Sequence, residues 1–306
     1  MRATVRVPGA CGELVQGLIG GVLCHITCPV ALYATVTVEL GDAPGPVRAP
    51  ADRTKTAQAV KTTFHFLNAQ HAAAVTVTSE LPVGKGMASS TADVAAAIAA
   101  TGLALGVTLA PGQVARLAVQ VEPSDGVMFP GIALFDHLGG TVCEPLGKPP
   151  PLDVLTLDFG GTVDTLEFNR VDRSALLREL APTAERAAAL VRRGLADGDP
   201  ALIGEGATMS ALAHQRVLFK PQLPAVLEFA HQIGAVGVNV AHSGAVIGVL
   251  LDGAQTAPSG GQTADDALHA ARRAFPHAEA IRLTSVIGGG LHVVTSGLTA
   301  ARAPRR

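Results

Sequence analysis

A strand that runs through a glycine- and serine-rich loop straight into a helix constrains the fold of this chain more than any other feature. Ala73–Ser79 alternates, with Val75 and Val77 toward one side and Thr76 and Thr78 toward the other, as a half-buried strand does. Residues 81–90 then read LPVGKGMASS. Beyond them Val94, Ile98, Thr101 and Leu105 recur at helical spacing. Gly84 and Gly86 allow a tight turn and bring bare backbone close to a ligand. Ser89 and Ser90 open the helix and are expected to cap it. The free N–H groups of the first turn, at the positive end of the helix dipole, favour an anion in front of them. The loop lacks the Gly-Lys-Ser/Thr close of a Walker A sequence and the third glycine of a dinucleotide fingerprint. On residue types alone, a phosphate cradle and an ordinary serine-capped turn both fit it.

The same alternation recurs along the chain. Strands are expected at 5–7, running into a turn at Pro8 and Gly9, and at 32–40. Helices are expected at 54–69 and Pro111–Val121, and strands at 131–135 and 140–143 around a turn at 137–139. Residues 148–151 read KPPP and make the best boundary by composition. A strand at 154–158 leads into a helix-rich stretch at 174–180, 182–195, 200–213 and 223–234. Strands at 236–240 and 245–251, a helix at 264–275, and strands at Ala280–Ser285 and 290–295 close the chain. Alternation in both halves predicts an α+β protein of two layered domains, 1–152 and 153–306. A length of 306 residues, 48% of them apolar, suffices for two cores.

Charge and composition remove several function classes. Lys plus Arg number 23 against 25 acids, a net −2, so nothing draws the chain generally to nucleic acid or anionic lipid. One Tyr and no Trp leave few platforms for stacking bases. No apolar run follows the N-terminal charges, so no signal peptide is expected. The hydrophobic window 92–110 is rich in Ala and Gly and carries Asp93, which suits a packed helix better than a membrane span. Cys11, Cys24, Cys28 and Cys143 are expected as reduced thiols of a cytoplasmic protein. Cys24-x-x-x-Cys28 around His25 is not followed by a second ligand pair at zinc-site spacing, so no structural metal is expected from it. Small molecules are the expected partners, and monomer and homodimer both stay open.

PVGKGMASSTA, residues 82–92, resembles the second motif of the GHMP kinases (galactokinase, homoserine kinase, mevalonate kinase and relatives), Pro-x-Gly-x-Gly-x-x-Ser-Ser-x-Ala. Pro82, Gly84, Gly86, Ser89, Ser90 and Ala92 match, and Ala88 stands where the family usually has Gly or Ser. VPGACGELVQG, residues 7–17, is similar to the first motif, a strand running into a Pro-Gly turn and a Gly-Glu pair. AVGVNVAHSGAVIGVLL, residues 235–251, looks like the third, a Gly-containing turn between strands, with fewer glycines than most members carry. The resemblance implies the two-domain GHMP kinase fold, its N-terminal half shared with ribosomal-protein and elongation-factor domains and its C-terminal half ferredoxin-like. It implies ATP and Mg2+, with Pro82, Val83, Gly84, Lys85, Gly86, Met87, Ala88, Ser89 and Ser90 around the nucleotide.

The first motif, with Cys28-Pro29 after it, resembles that of the L-threonine kinases that feed cobalamin side-chain synthesis. Glu122-Pro123-Ser124-Asp125-Gly126 and Ala241-His242-Ser243-Gly244 look like the same subfamily. The implied reaction is phosphorylation of the threonine hydroxyl, giving O-phospho-L-threonine and ADP. The alternatives are another small hydroxyl substrate, such as homoserine, pantoate or a sugar, and a non-catalytic binding protein of this fold. By resemblance Ser90 and Glu122 become magnesium ligands, and Asp125 becomes the base that takes the hydroxyl proton. Asp125 lies only three residues from Glu122, so a substrate anchor is its second reading and a turn cap its plainest. Glu13 is a candidate for the substrate ammonium or a simple helix first-turn acid. Gln16 is a candidate for the carboxylate or the hydroxyl, and Cys28, His242 and Ser243 complete the expected substrate set. Cys28 also fits a small buried side chain. Arg6, Lys85 and backbone N–H groups are the options for a carboxylate partner. His25, His137 and His214 read as structural histidines.

Overall fold

The computed structural model describes residues 1–161, 170–254 and 263–296. Its spine is a hairpin of two long strands, β1 (Arg2–Ile19) and β2 (Val22–Leu40). Gly20 and Gly21 both have positive φ, 60° and 77°, the backbone of a two-residue hairpin turn whose twist matches its strands. The short strand expected at 5–7 is therefore the start of an 18-residue one. Pro8 and Gly9 do not turn the chain. The register instead slips between them, with Pro8 opposite Tyr33 and Gly9 opposite Val30. A bulge is where a strand tolerates a proline that has no N–H to donate. Further slips fall between Ala10 and Glu13 and between Glu13 and Val15.

The remaining strands are β3 (Val47–Arg48), β4 (Ala73–Ser79), β5 (Ile132–Asp136), β6 (Cys143–Gly147), β7 (Leu152–Asp158), β8 (Gly237–Val240), β9 (Ile247–Asp252), β10 (Ala280–Ser285) and β11 (His292–Ser296). They join one 11-stranded sheet with the path β10-β7-β9-β8-β1-β2-β4-β3. β11 pairs with the start of β1, and β5 bridges β2 and β6. The strand expected at 154–158 pairs with β9 and β10, both from the second half of the chain. β6 starts at Cys143, where a strand had been expected to end.

The helices are α1 (Thr54–Phe66), α2 (Ser89–Ala104), α3 (Pro111–Val121), α4 (Ser174–Asp197), α5 (Pro200–His214), α6 (Leu223–Gln232) and α7 (Ala264–Ala274). α2 is buried almost all round, between β1 and β2 on one side and α1 and α3 on the other. That burial explains its Ala-rich, nearly charge-free sequence without a membrane. Among the described residues no helix is long and apolar enough to cross one. α4 is a single helix with Pro182 inside it, where two helices had been expected. Its buried stripe of Ala184, Ala187, Ala188 and Val191 outweighs the one backbone bond that the proline cannot make. The larger hydrophobic cluster joins β1–β5 and α1–α3 with α4. A smaller one gathers β7–β9, α6 and α7.

Candidate active site

The loop before α2 is clamped by the two other motif segments. Ala10 N donates to Met87 O at 3.0 Å and Gly12 N to Gly86 O at 3.2 Å. Ala245 N and Val246 N donate to Lys85 O at 3.0 and 3.2 Å. A trans peptide is planar, with its N–H opposed to its C=O. Carbonyls 85, 86 and 87 point into the protein, so the N–H groups of Gly86, Met87 and Ala88 point the other way. Those three residues line a cavity of about 440 Å³. The clamp leaves no room for side chains: a Cβ on Gly244 would lie 2.3 Å from Gly86 Cα. Ala88 is the N-cap of α2, left-handed at φ 56° and ψ 24°, and no side chain caps the helix. The expected serine caps are therefore absent. Ser90 Oγ donates to the Glu122 carboxylate instead, and the first turn of α2 keeps its N–H groups for whatever enters the cavity. A non-glycine residue in this conformation costs about 1–2 kcal/mol, held in place here by the clamp.

The start of α1 forms the facing wall, through Arg53, Thr54, Lys55 and Thr56. Lys55 Nζ pairs with the Glu122 carboxylate, the same group that Ser90 bonds. Arg53 Nη1 lies 2.8 Å from Asp93 Oδ2. Burial raises Asp93 to about 6 against the pull of Arg53. One end of the cavity thus has two helix N-termini, an ammonium, and a serine paired with a carboxylate. Hard oxygen donors of that kind suit Mg2+, and the N–H groups and Lys55 suit phosphates.

The other end is acidic and imidazole-lined. The slips in β1 turn Glu13 inward, where His242 N donates to its Oε2 at 2.6 Å. Asp125 N donates to Thr91 Oγ1 at 3.2 Å, and that hydroxyl donates back to Asp125 Oδ2 at 3.3 Å. The Glu13 and Asp125 carboxylate oxygens lie within 4.8 Å of each other, and burial raises the pKa of both; for Glu13 the Asp125 charge adds to it. Each carboxylate so placed disfavours ionisation of the other. His25 Nδ1 lies 3.7 Å from Asp125 Oδ1 and 4.0 Å from Glu13 Oε1.

Residues 54–131 match the GHMP kinases N terminal domain, and residues 187–277 match the GHMP kinases C terminal family. The L-threonine kinase of Salmonella typhimurium is 38% identical over 253 residues, 82% of this chain and 83% of that protein. The chain belongs to the GHMP kinase family. As a member it is an ATP-dependent kinase. An L-threonine kinase of Citrobacter freundii is 36% identical, over 82% of this chain and 86% of that protein. The homoserine kinase of Cytophaga hutchinsonii superposes with a TM-score of 0.74 at 17% identity, over 96% of this chain and 97% of that one. A mevalonate kinase of L. major gives 0.67 at 15% identity, over 94% and 96%. Likeness at such identity speaks for the fold alone.

Within this GHMP kinase the expected residues fall into distinct places. Val83, Gly84, Gly86, Met87, Ala88, Ser89, Ser90, Glu122, Asp125, Glu13, His242 and Ser243 all line the cavity. Pro82, Lys85, Gln16 and Cys28 do not. Lys85 Nζ bonds Asp158 and Glu279, 3.1 and 3.0 Å away. Arg6 lies over the Tyr33 ring at 4.5 Å. Neither cation lines the cavity, so of the three options for a carboxylate partner only backbone N–H groups face it. Gln16 sits behind His242, with Oε1 2.8 Å from Nδ1. Cys28 is fully buried, and burial pushes its thiol well up. Lys55, Arg53 and Lys220 escaped the sequence reading, and His25 and His137, read there as structural, line the cavity. Lys220 donates to Gly244 O and so braces the clamp; burial brings it down to about 8, with the Glu13 charge opposing. No sequence signal marked His25: it shares a strand face with Thr27, and only the fold brings Thr27 Oγ1 to accept from Gly126 N at 3.1 Å, beside Asp125.

Proposed function

We propose that this kinase transfers the γ-phosphoryl group of ATP to the side-chain hydroxyl of L-threonine, producing O-phospho-L-threonine for cobalamin side-chain synthesis. The observation that carries this reading is the pair formed by buried Glu13 and half-buried Asp125 in the wall of the cavity. An ammonium beside these two carboxylates offsets the repulsion between their charges. The names and identities of the two L-threonine kinases support the same substrate.

Each end of the cavity has its task in this reading. The N–H groups of residues 86–88 and of the first turn of α2 hold the triphosphate, and Lys55 neutralises it. Ser90 and Glu122 hold Mg2+, which supplies charge neutralisation on the phosphate oxygens when bound. Glu13 holds the ammonium and so fixes the acceptor. Asp125, steadied by Thr91, takes the hydroxyl proton as the oxygen attacks. Gln16 positions the His242 ring from behind, and Ser243 lines the acceptor end beside it. We place the division between the halves at 152/153, at the start of β7, the strand that pairs with β9 and β10.

Phosphorus NMR on the purified protein with ATP, Mg2+ and a mixture of amino acids tests the substrate. A single new phosphomonoester resonance matching O-phospho-L-threonine is expected. A product from homoserine or another alcohol, with threonine untouched, would overturn it.

A further inference from the structure

Three histidines from distant parts of the chain meet at the floor of the cavity. His25 comes from β2, His137 from the turn after β5, and His242 from the turn between β8 and β9. Each offers a ring nitrogen, and these atoms lie within 4.8 Å of one another. The three residues are 2%, 3% and 7% exposed. His25 and His137 stack at 3.8 Å, and the His242 ring centre is 4.4 Å from that of His25.

A packing role leaves these rings badly served. Both ring nitrogens of His25 and both of His137 have no hydrogen-bond partner. Each buried polar atom left so costs about 1–3 kcal/mol, and a fold that needed only volume here would be more stable with Leu or Phe. Burial also holds the imidazoles below their ordinary pKa, His137 down to about 4. A neutral ring with a bare lone pair is the form that binds a metal.

We propose that His25, His137 and His242 form a binding site for one divalent transition ion of the zinc, cobalt or nickel class, separate from the phosphate-side magnesium site. Imidazole nitrogen selects such ions over magnesium and calcium. The fourth position of a tetrahedral ion stays open to solvent, so Glu13 and Asp125, which gather with a His25 nitrogen as a group of their own, keep the roles proposed above. The supporting shell is already built. Gln16 Oε1 accepts from His242 Nδ1–H at 2.8 Å, which leaves the lone pair on Nε2. His214 Nε2 meets the His242 carbonyl at 2.9 Å and holds that turn. Partners of this kind orient a ligand ring and raise its basicity. Zinc–nitrogen bonds of about 2.0–2.1 Å put tetrahedral ligand atoms about 3.4 Å apart, so rotation of the three rings closes the site. All three histidines line the open cavity, which gives the ion its path in.

The test uses the metal alone, without ATP or acceptor, so its outcome is independent of the kinase reading. Zinc is titrated into metal-free protein against a chromogenic chelator, and cobalt is followed by its visible absorption. We expect one tight equivalent of zinc and the intense visible bands of tetrahedral cobalt. His137→Gln and His25→Gln should each weaken zinc by at least about 100-fold, and Glu122→Gln should leave it unchanged. Loss of zinc in Glu122→Gln with retention in both histidine variants would overturn the assignment. So would wild-type binding no tighter than that of His137→Gln. Should the histidine variants fail to fold, imidazole nitrogen shifts in the wild-type NMR spectrum decide. One equivalent of zinc must move those of His25, His137 and His242, and unmoved signals refute the site.

Discussion

Replacing Gly86 with alanine tests the clamp that shapes the phosphate end of the cavity. The new Cβ would lie 2.3 Å from Ala241 Cβ and 2.9 Å from Gly244 Cα. Ordinary contacts begin near 3.4 Å, so the loop and the β8–β9 turn must separate. Overpacking of this sort costs about 1–3 kcal/mol. Gly86 also has φ 82°, and an alanine held left-handed adds about 1–2 kcal/mol. The total is about 2–5 kcal/mol, a fall in Tm on the order of 10 °C for a chain of this size. Gly106 supplies the control, with φ 79° and nothing within 4 Å of its would-be Cβ. Gly106→Ala should therefore lose only the backbone part and keep its nucleotide affinity. Differential scanning calorimetry and isothermal titration with ATP measure both quantities. Gly86→Ala should bind ATP at least about tenfold more weakly, which is 1.4 kcal/mol, because the N–H groups of residues 86–88 move with the loop. If Gly86→Ala matches Gly106→Ala in Tm and binds ATP like the parent, the clamp does not set the nucleotide site.

The remaining predictions concern the two ends of the cavity. Ser90→Ala and Glu122→Gln should lower activity at limiting magnesium and recover in part at high magnesium; loss that magnesium never rescues would remove them as ligands. Glu13→Gln keeps the shape and should raise KM for threonine far more than KM for ATP; equal effects would argue against an ammonium contact. Asp125→Asn should cut turnover by roughly 100-fold and leave ATP binding intact; a change confined to the threonine KM would make Asp125 an anchor. Acid should destabilise the metal-free protein early, and urea midpoints at pH 7 and pH 5 measure it. Burial holds His137 at about 4 and His214 at about 3, against about 6.5 unfolded. Between those values only the unfolded chain takes the proton, so stability falls as pH drops below about 6.5. The loss at pH 5 is about 2 kcal/mol for each histidine. Glu13 and Asp125, raised in the fold, work in the opposite sense and offset part of it. A urea midpoint unchanged between pH 7 and 5 would show that these histidines are hydrated.

Local rules settled a good part of this protein from its sequence. Strand alternation over Ala73–Ser79, the glycines of the loop and the helical spacing after Ser90 lie within one stretch of chain, so the strand, loop and helix were legible there. Pro111–Val121 was legible for the same reason, with Pro at the first turn and an apolar face behind it. Motif strings placed Glu13, Ser90, Glu122, Asp125 and His242 on one list, and all five line one cavity. Only tertiary structure decided what holds them there. Pro8–Gly9 stayed in a strand because β2 pairs with it on one side and the loop packs against Gly9 on the other. Pro182 stayed in a helix because burial of its neighbours outweighs one missing bond. Ala88 is left-handed because segments over a hundred residues apart bond the carbonyls on its N-terminal side. Lys55 reaches Glu122, and His25 meets His137 and His242, across separations that no local spacing encodes. A histidine looks alike in every strand; its neighbours in space, which only the closed fold supplies, decide whether it is filler or a ligand.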